Sequence, residues 1–596
     1  MARGEPAPGE RLRAVALVLA VSAPLWWLPG GFSRFVLAKL LVTAIAVLLA
    51  ALARPVGALP RTVVLAGVGW AGCFALAALV GETPLASLLG RWPRYEGLPV
   101  LGLYAAACWT GARVVGQDVA ATRRLHLAVS ALAVALAAFS VLDVLGVTPL
   151  GPSTEDRTGS VLGNATDQGA VAMMAALVLV GPALRPAAAD RALRAASVAG
   201  LAAAVATVAI SGSRTALGLT LVGLAAIGAV LLLRSRADDR TTGALPLTAG
   251  AVALLGSTAL LVPTTRDRLL GLGTAEGRVD QWRLTLDLLG DHPWLGLGGS
   301  RYVDAFLAYE DPAFVDFTGA QRLADSPHSV LLQVLVAGGV LLMVATLLGL
   351  FLVVRRVVAV LRERPDAVAV VGPVVVAVAA YLTLASVNFT TAGPACLAAL
   401  LLGTVIAVPI RAAEQERRSL PLAAMSGVLV VGLAAATLGE VALERGVAAA
   451  DRRQVAAADE RFAEAGRWRP WDVDVDVIAA RLLAEQAAAG DGDAAIRGEQ
   501  RARAALAGAP QSYEATVALG LVLSAQGRLA EAVEVLGVAV TLAPERPDGH
   551  VQRGIAHAGL GQVDDALVDL RRAQEILPRS AVVRRLIRQV SASTSP

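Results

Sequence analysis

Three positions in this sequence set a reactive side chain against an apolar run. Arg214, in SGSRTALGL, stands between the apolar blocks 193–210 and 212–233. Arg278 lies near the start of EGRVDQWRLTLDLLGDHPWLGLGGSRY, and His328, in DSPHSVLLQVLVAGGV, stands at the entrance to the block that begins at residue 329. An arginine near the centre of a membrane helix costs about 2.5–3.5 kcal/mol on insertion scales, so one kept there calls for a hydrated cavity and an anion to meet. A guanidinium matches phosphate oxygens in bidentate fashion and stays charged in any plausible surrounding. An imidazole, with an ordinary pKa of about 6.5, is largely neutral at working pH and can accept a proton. Each residue also has a plainer reading taken alone: a snorkelling helix end for Arg214, a solvated helix face for Arg278, a cap or structural histidine for His328.

The elements that must position them are membrane spans. The chain has 596 residues, 56% of them hydrophobic, and a mean hydropathy of +0.63, too apolar for a soluble enzyme of this length. Apolar blocks fall near 14–28, 35–53, 62–81, 98–115, 125–147, 169–184, 193–210, 212–233, 244–263, 329–354, 368–388, 394–410 and 420–443. Each is long enough to cross about 30 Å of hydrocarbon with modest tilt, which predicts an all-α polytopic protein of about 12–13 spans. The first block could serve as a signal peptide, with Val21-Ser22-Ala23 as a weak cleavage site, but Trp26-Trp27 favours an interfacial belt. The net charge is +4 and Lys39 is the sole lysine. The arginine excess sits in loops between spans, so the basic balance is no sign of nucleic acid. Cys73, Cys108 and Cys396 fall in or beside apolar blocks and suit neither a disulfide framework nor a zinc site.

Arginines crowd every second loop: Arg3/Arg11/Arg13, Arg54/Arg61, Arg113/Arg123/Arg124, Arg185/Arg191/Arg194, Arg234/Arg236/Arg240, Arg355/Arg356/Arg362/Arg364 and Arg411/Arg417/Arg418. The positive-inside rule puts these in the cytoplasm, and an odd span count then puts the C-terminal part outside. That part is polar and repeats with a period of 34 residues: Pro510/Pro544/Pro578, Gly527/Gly561, Ala532/Ala566, Leu536/Leu570 and Ala539/Ala573. The pattern is that of tetratricopeptide helix–turn–helix units, an α-solenoid, with a degenerate unit over about 476–509 before them. The expected division is a membrane domain over 1–443, a linker over 444–475 and a repeat domain over 476–596.

Four features lie on the expected outer side: GRWPRYEGL with Arg91 and Arg94; DRTGSVLGNATDQGA with Asn164; Arg214 with Ser213; and the long segment 264–328. A loop of that length inside a compact membrane domain is usually functional. Within it Val279, Trp282, Leu286 and Leu289 share a helical face that can lie in the lipid interface, with Arg278 beside it at the level of lipid phosphates. Asp291-His292-Pro293 breaks that helix, and Gly296, Gly298 and Gly299 allow a tight turn.

Taken in order, the arginine of SGSRTA, then GRxxxW…hPxxGxG, then (S/A)xHSxxLQxxxxxG before another span resemble the O-antigen ligase and polymerase superfamily over roughly residues 80–410. RYEGL with Arg94 and GNATDQGA with Asn164 look like further family positions. The resemblance implies a GT-C-like membrane glycosyltransferase that moves a glycan from a polyprenyl-pyrophosphate carrier, such as undecaprenyl pyrophosphate, to an acceptor hydroxyl. It implies catalytic roles for Arg214 and Arg278 on the pyrophosphate and for His328 as general base, and substrate-binding roles for Arg94 and Asn164; Arg91, close to Arg94 and like it able merely to pair with Glu96, and Ser213 are further substrate-binding candidates. The family commonly has His-Asn where this chain has His328-Ser329, so an amide beside the base is missing from its usual place. No acidic cluster with divalent-cation spacing stands in the external loops, so neither metal nor cofactor is expected.

The expected place is the cytoplasmic membrane of a bacterium, with the repeats outside the cell. The expected partners are the lipid-linked glycan donor, a glycan, lipid or protein acceptor, membrane lipids and a protein held by the repeats. A protein O-oligosaccharyltransferase whose repeats present a polypeptide is a close variant. A lipid-linked glycan transporter and a membrane-anchored repeat scaffold are readings of other classes. A transporter would be expected to carry inverted repeats and paired broken helices, and the span pattern contains no such repeat.

Overall fold

The computed structural model describes residues 8–147, 159–184, 190–235, 244–262, 265–266, 276–319, 323–364, 368–410 and 419–592. The stretch Asp156–Thr158 of the second external feature and part of the segment 264–328 lie outside the described residues. Each of the thirteen apolar blocks folds as a helix: α1 (Pro8–Ser22), α2 (Leu37–Leu52), α3 (Arg61–Val80), α5 (Leu98–Val114), α6 (Val119–Val144), α7 (Ala165–Ala183), α8 (Arg191–Ser211), α9 (Arg214–Ser235), α10 (Ala244–Leu261), α13 (Val330–Glu363), α14 (Val368–Ser386), α15 (Ala392–Ile406) and α16 (Leu420–Asp451). Short α4 (Pro84–Leu89) precedes α5, and the external segment forms α11 (Glu276–Asp291) and α12 (Pro312–Thr318). Among the described residues, seven helices are long and apolar enough to cross a membrane: α3, α6, α7, α8, α13, α14 and α16. Helices α2 and α15, and the described parts of α9 and α10, are apolar over shorter lengths. The protein is a multi-pass membrane protein.

Burial sorts the spans. In α7 the run Ala170–Val180 is almost wholly enclosed, which makes it the central helix. Around it, α5 and α15 touch backbone to backbone. A Cβ on Gly111 would meet the Leu400 carbonyl at 2.0 Å, and one on Gly403 the Cys108 carbonyl at 1.8 Å. Small residues allow such an approach where no hydrophobic force drives helices together. Leu65 and Val68 of α3, Phe351 of α13, and Val428 and Val431 of α16 face outward, the exposed apolar belt a bilayer would cover.

Among the described residues, arginines of these loops gather at one end of the bundle; Arg3, Arg185, Arg236, Arg240, Arg411, Arg417 and Arg418 lie outside the described residues. Arg113 donates to the Ala50 and Ala53 carbonyls at 2.7 and 2.9 Å, Arg123 pairs with Asp190, Arg124 with Glu10, and Arg356 reaches the Ala407 carbonyl at 3.2 Å. Ala58 and Val408 form an antiparallel bridge there. Lys39, buried in α2, donates to the carbonyls of Trp26 and Val161 at 2.8 and 2.9 Å and so ties down the loop that leads into α7. Asp143, a charge without an evident partner in the sequence, accepts the Ser160 N–H at 3.1 Å on the same loop.

Helix α13 is broken. Gly338 and Gly339 leave helical geometry, Gly339 at φ 59° and ψ −158°, a region essentially reserved to glycine. The break exposes backbone groups to the turn after α11: Leu297 N–H donates to the Val336 carbonyl at 2.7 Å, and Val340 N–H to the Pro293 carbonyl at 2.9 Å. The external segment is thereby pinned to a membrane helix.

The C-terminal part is an α-solenoid of helix pairs: α18 (Asp474–Ala488) with α19 (Gly492–Gly508), α20 (Tyr513–Ala525) with α21 (Leu529–Leu542), and α22 (Pro547–Gly559) with α23 (Val563–Ile576), followed by α24 (Ala581–Ala592). Gly527 and Gly561 both turn at φ +77°, and Ala532, Leu536, Ala539 and their counterparts Ala566, Leu570, Ala573 are fully buried between helices. The stretch 444–475, expected as a linker, is helical instead: α16 continues to Asp451 and packs on α17 (Val455–Trp468), with Gly446 against the Phe462 ring. The alanine-rich register of Ala442, Ala449 and Ala450 gives α16 a face for Ala458, Phe462 and Ala465, so the last apolar helix carries straight into the solenoid.

Candidate functional site

At the end of the bundle opposite the arginine-bearing loops, a cavity of about 340 Å³ is lined by Ser213, Arg214, Arg278 and His328, with Thr166, Gln281, Phe317 and Asn388 around them. Helix α8 ends at Gly212 in the left-handed conformation, φ +61°, which reverses the chain into α9. The Ser213 hydroxyl accepts the Ala216 N–H at 3.4 Å, so Arg214 is the first residue of α9. A cation at a helix N-terminus opposes the helix dipole, and the two fields add at the cavity in favour of an anion.

Arg278 lies in the first turn of α11 and donates to the Val387 carbonyl at 3.0 Å. The same helix fixes the approach to His328. Gln281 donates to the Ser326 carbonyl at 2.7 Å and the Trp282 indole to the Pro327 carbonyl at 2.9 Å, which clamps the backbone just before His328. His328 itself adopts φ 49°, and Ser329 caps α13. The face of α11 that packs inward is Gln281, Leu284, Thr285 and Leu288, with Leu289 beside it. Val279 and Leu286 of the expected stripe stay exposed, because the segment's own Tyr302 and Phe306 take the other side.

The imidazole is held in its neutral form, with its pKa pushed down to about 4. Burial is the main cause, followed by the Arg94 and Arg278 guanidiniums; Asp325 and a hydrogen bond to Asn388 act the other way. Its Nδ1 is buried with no hydrogen-bond partner among the described residues. Phe389 stands beside it, ring centroids 5.0 Å apart, and Arg94 lies over the Phe389 ring at 3.6 Å. Arg94 is paired with Asp325 through two hydrogen bonds of 3.1 and 3.0 Å.

Of the residues expected at the site, Ser213, Arg214, Arg278 and His328 line one cavity and Arg94 lines its neighbour. Two others are engaged elsewhere. Arg91 is buried in an ion triad with Asp304 and with Asp474 of the solenoid, the latter at 2.7 and 3.2 Å, and does not line the His328 cavity. Asn164 caps α7, accepting the Thr166 N–H at 2.7 Å, and it is Thr166 that reaches the cavity. Asn388, Phe389 and Asp325 were missed. The polar interruption VNFTT between two apolar blocks was the available signal for the first two. Asn388 also supplies an amide beside the imidazole that the sequence lacks at position 329.

The fold and site define a multi-pass helical membrane protein with a long segment between its membrane helices and a C-terminal α-solenoid. Residues 159–347, which contain Arg214, Arg278 and His328, match the family described as O-antigen ligase. No curated protein matches the chain. Similar solved structures include the crystal structure of the APC/C hetero-tetramer Cut9-Hcn1, at 9% identity over 93% of this chain and 83% of that one, TM-score 0.23. Another is the crystal structure of yeast Tom70, at 10% identity over 83% and 92%, TM-score 0.21. At these TM-scores the likeness carries no argument about fold.

Proposed function

We propose that this protein transfers a glycan from a polyprenyl-pyrophosphate carrier to an acceptor hydroxyl at the outer face of the cytoplasmic membrane, with its solenoid outside the cell. The observation that carries the reading is the convergence of Arg214, Arg278 and His328 on one cavity. Arg214, Arg278 and the N-terminus of α9 hold the pyrophosphate, with Ser213 beside them. The acceptor hydroxyl gives its proton to the imidazole of His328 as its oxygen bonds to the anomeric carbon. The bond from that carbon to the pyrophosphate oxygen breaks, its electron pair leaves with the diphosphate, and the guanidiniums stabilise the charge. One displacement inverts the anomeric centre. The two arginines do the work that a metal does in other enzymes, and no metal is assigned to the step.

A base with a pKa near 4 is weak, but the bound donor corrects this. A pyrophosphate carrying about two negative charges beside Arg278 offsets the cation that helps to hold the imidazole neutral, and so raises its basicity when it is needed. Purified protein with a lipid-linked oligosaccharide tests the reading: transfer should survive a chelator and vanish in His328→Ala. Undiminished transfer in that variant removes His328 from its role, and loss under chelator removes metal independence.

A further inference from the structure

Two further cavities share a wall. One, about 160 Å³, is bounded by Arg94, Glu96, Tyr104 and Gln333; the other, about 280 Å³, by Leu323, Arg481, Tyr513 and Glu514. Arg91, Trp92, Pro93, Val303 and Asp325 line both, so the two are consecutive rooms, the outer one opening between the external segment and the first helices of the solenoid. The inner room ends at Pro327 and Thr390. Their chain neighbours are His328 and Phe389, and His328 belongs to the cavity with Arg214 and Arg278. The Phe389 ring, with Arg94 on it and His328 beside it, is the partition.

We infer that these two rooms are the acceptor site, a channel that brings a hydroxyl-bearing saccharide from the solenoid side to His328; the inference rests on the donor reading above. Charge separates the two sides. The cavity with Arg214 and Arg278 has no carboxylate among its described lining residues. In the two rooms carboxylates accompany the guanidiniums: Arg91 pairs with Asp304 and Asp474, Arg94 with Asp325, and Arg481 lines the outer room with Glu514. Such pairs hold no attraction for a diphosphate, yet they present planar donors and acceptors side by side, which suits hydroxyls, each a donor and an acceptor at once. Phe32 and Trp92, centroids 5.6 Å apart, and Tyr513 add aromatic surface for the C–H face of a sugar ring.

Direction agrees as well. An inverting displacement brings the nucleophile in on the side opposite the leaving group, and the rooms and the two arginines line separate cavities that adjoin at Pro327 and His328. The Phe389 ring must turn aside for the hydroxyl to reach the imidazole. An extended polypeptide would call for a groove with backbone partners; these rooms present ion-paired side chains instead, Arg91 with Asp474 and Arg94 with Asp325.

Full-length protein in detergent tests this with three probes: a polyprenyl-pyrophosphate oligosaccharide as donor, a panel of short free oligosaccharides as acceptors, and a Ser/Thr-rich peptide as the rival acceptor. Leu323→Trp narrows the outer room, and Glu514→Gln, which keeps shape, removes a charged wall. A rise of about tenfold or more in the saccharide KM, with the donor KM unchanged, is the expected result in both variants. Unchanged saccharide KM in both variants, or a rise in donor KM instead, overturns the channel. Turnover with the peptide alone, its KM moved by the same variants, overturns the saccharide assignment. Absence of any transfer by the unmutated protein removes the donor reading itself, an outcome told apart from the others because they all require turnover.

Discussion

Gly296 and Gly339 meet back to back: a Cβ on Gly296 would stand 2.3 Å from the Val336 carbonyl oxygen and 2.8 Å from the Gly339 nitrogen, and one on Gly339 would stand 2.4 Å from the Trp294 carbonyl oxygen. One glycine belongs to the turn after α11, the other to the break in α13. Their contact fixes the distance between the helix that carries Arg278 and the segment that carries His328. Gly339→Ala should therefore cost about 1–3 kcal/mol from backbone strain alone, with the clash in addition, and should abolish transfer. Gly349→Ala, ten residues further along the same helix with nothing within 4 Å of its Cβ, should leave thermal midpoint and transfer unchanged or slightly improved. Thermal unfolding in detergent beside a transfer assay separates the two.

Arg214→Lys should be as informative as removal. Lysine keeps the charge at the start of α9 but loses the planar fork that grips two phosphate oxygens. If the arginine stabilises charge on the departing diphosphate, kcat should fall by about 10²–10³-fold, the range for loss of one such donor, with a smaller change in donor KM. A change in donor KM alone would make Arg214 a binding residue without a part in the chemical step.

The solenoid is tied to the segment between α10 and α13 by Arg546, which donates two hydrogen bonds to the Glu310 carboxylate, one of 2.6 Å, with both side chains almost fully enclosed. Removing one partner of such a pair leaves an uncompensated buried charge and costs about 3–5 kcal/mol. Arg546→Ala should release the repeats, seen as faster proteolysis between α16 and α24, whereas the double change Arg546→Met with Glu310→Leu should restore protection. Equal sensitivity in both would show that the pair does not hold the docking.

How far the sequence foretold this arrangement depended on the length scale. Runs of apolar residues placed the helices, and the 34-residue period placed the buried alanines and turning glycines, because both signals are local and repeat. The motif glycines Gly296 and Gly339 were visible, but their meeting was not, since they stand 43 positions apart in the chain. Arg91 looked equivalent to Arg94 because a sequence does not record ion partners: Asp474 lies 383 positions away. The amide beside His328 was looked for at the next residue, and it comes from the far end of α14 instead. The boundary at residue 443 marked where apolar residues end, which is not where helix α16 ends.

The pH dependence of transfer follows from the His328 environment, and its sign can be worked out. Free imidazole protonates near 6.5, but burial and the neighbouring Arg94 and Arg278 hold this one down to about 4. The base is lost on protonation, so activity must fall as pH drops through its pKa. The acid limb of kcat/KM for donor reports the free enzyme and should lie near pH 4, with no inflection at 6.5. The limb of kcat reports the donor-bound enzyme. There the diphosphate's negative charge favours the imidazolium, so this limb should lie at higher pH than that of kcat/KM. Arg94→Gln removes a cation and leaves Asp325 unpaired, and both changes favour imidazolium, so the kcat/KM limb should move upward in that variant. Stability has the same origin: between about 6.5 and about 4 the unfolded chain takes up a proton that the folded one refuses, so the folded state loses ground as pH falls through that window. Reversibility on return to neutral pH must therefore accompany each rate measurement. A kcat/KM limb that stays near 6.5 and does not respond to Arg94→Gln would mean that His328 is not the group whose proton matters.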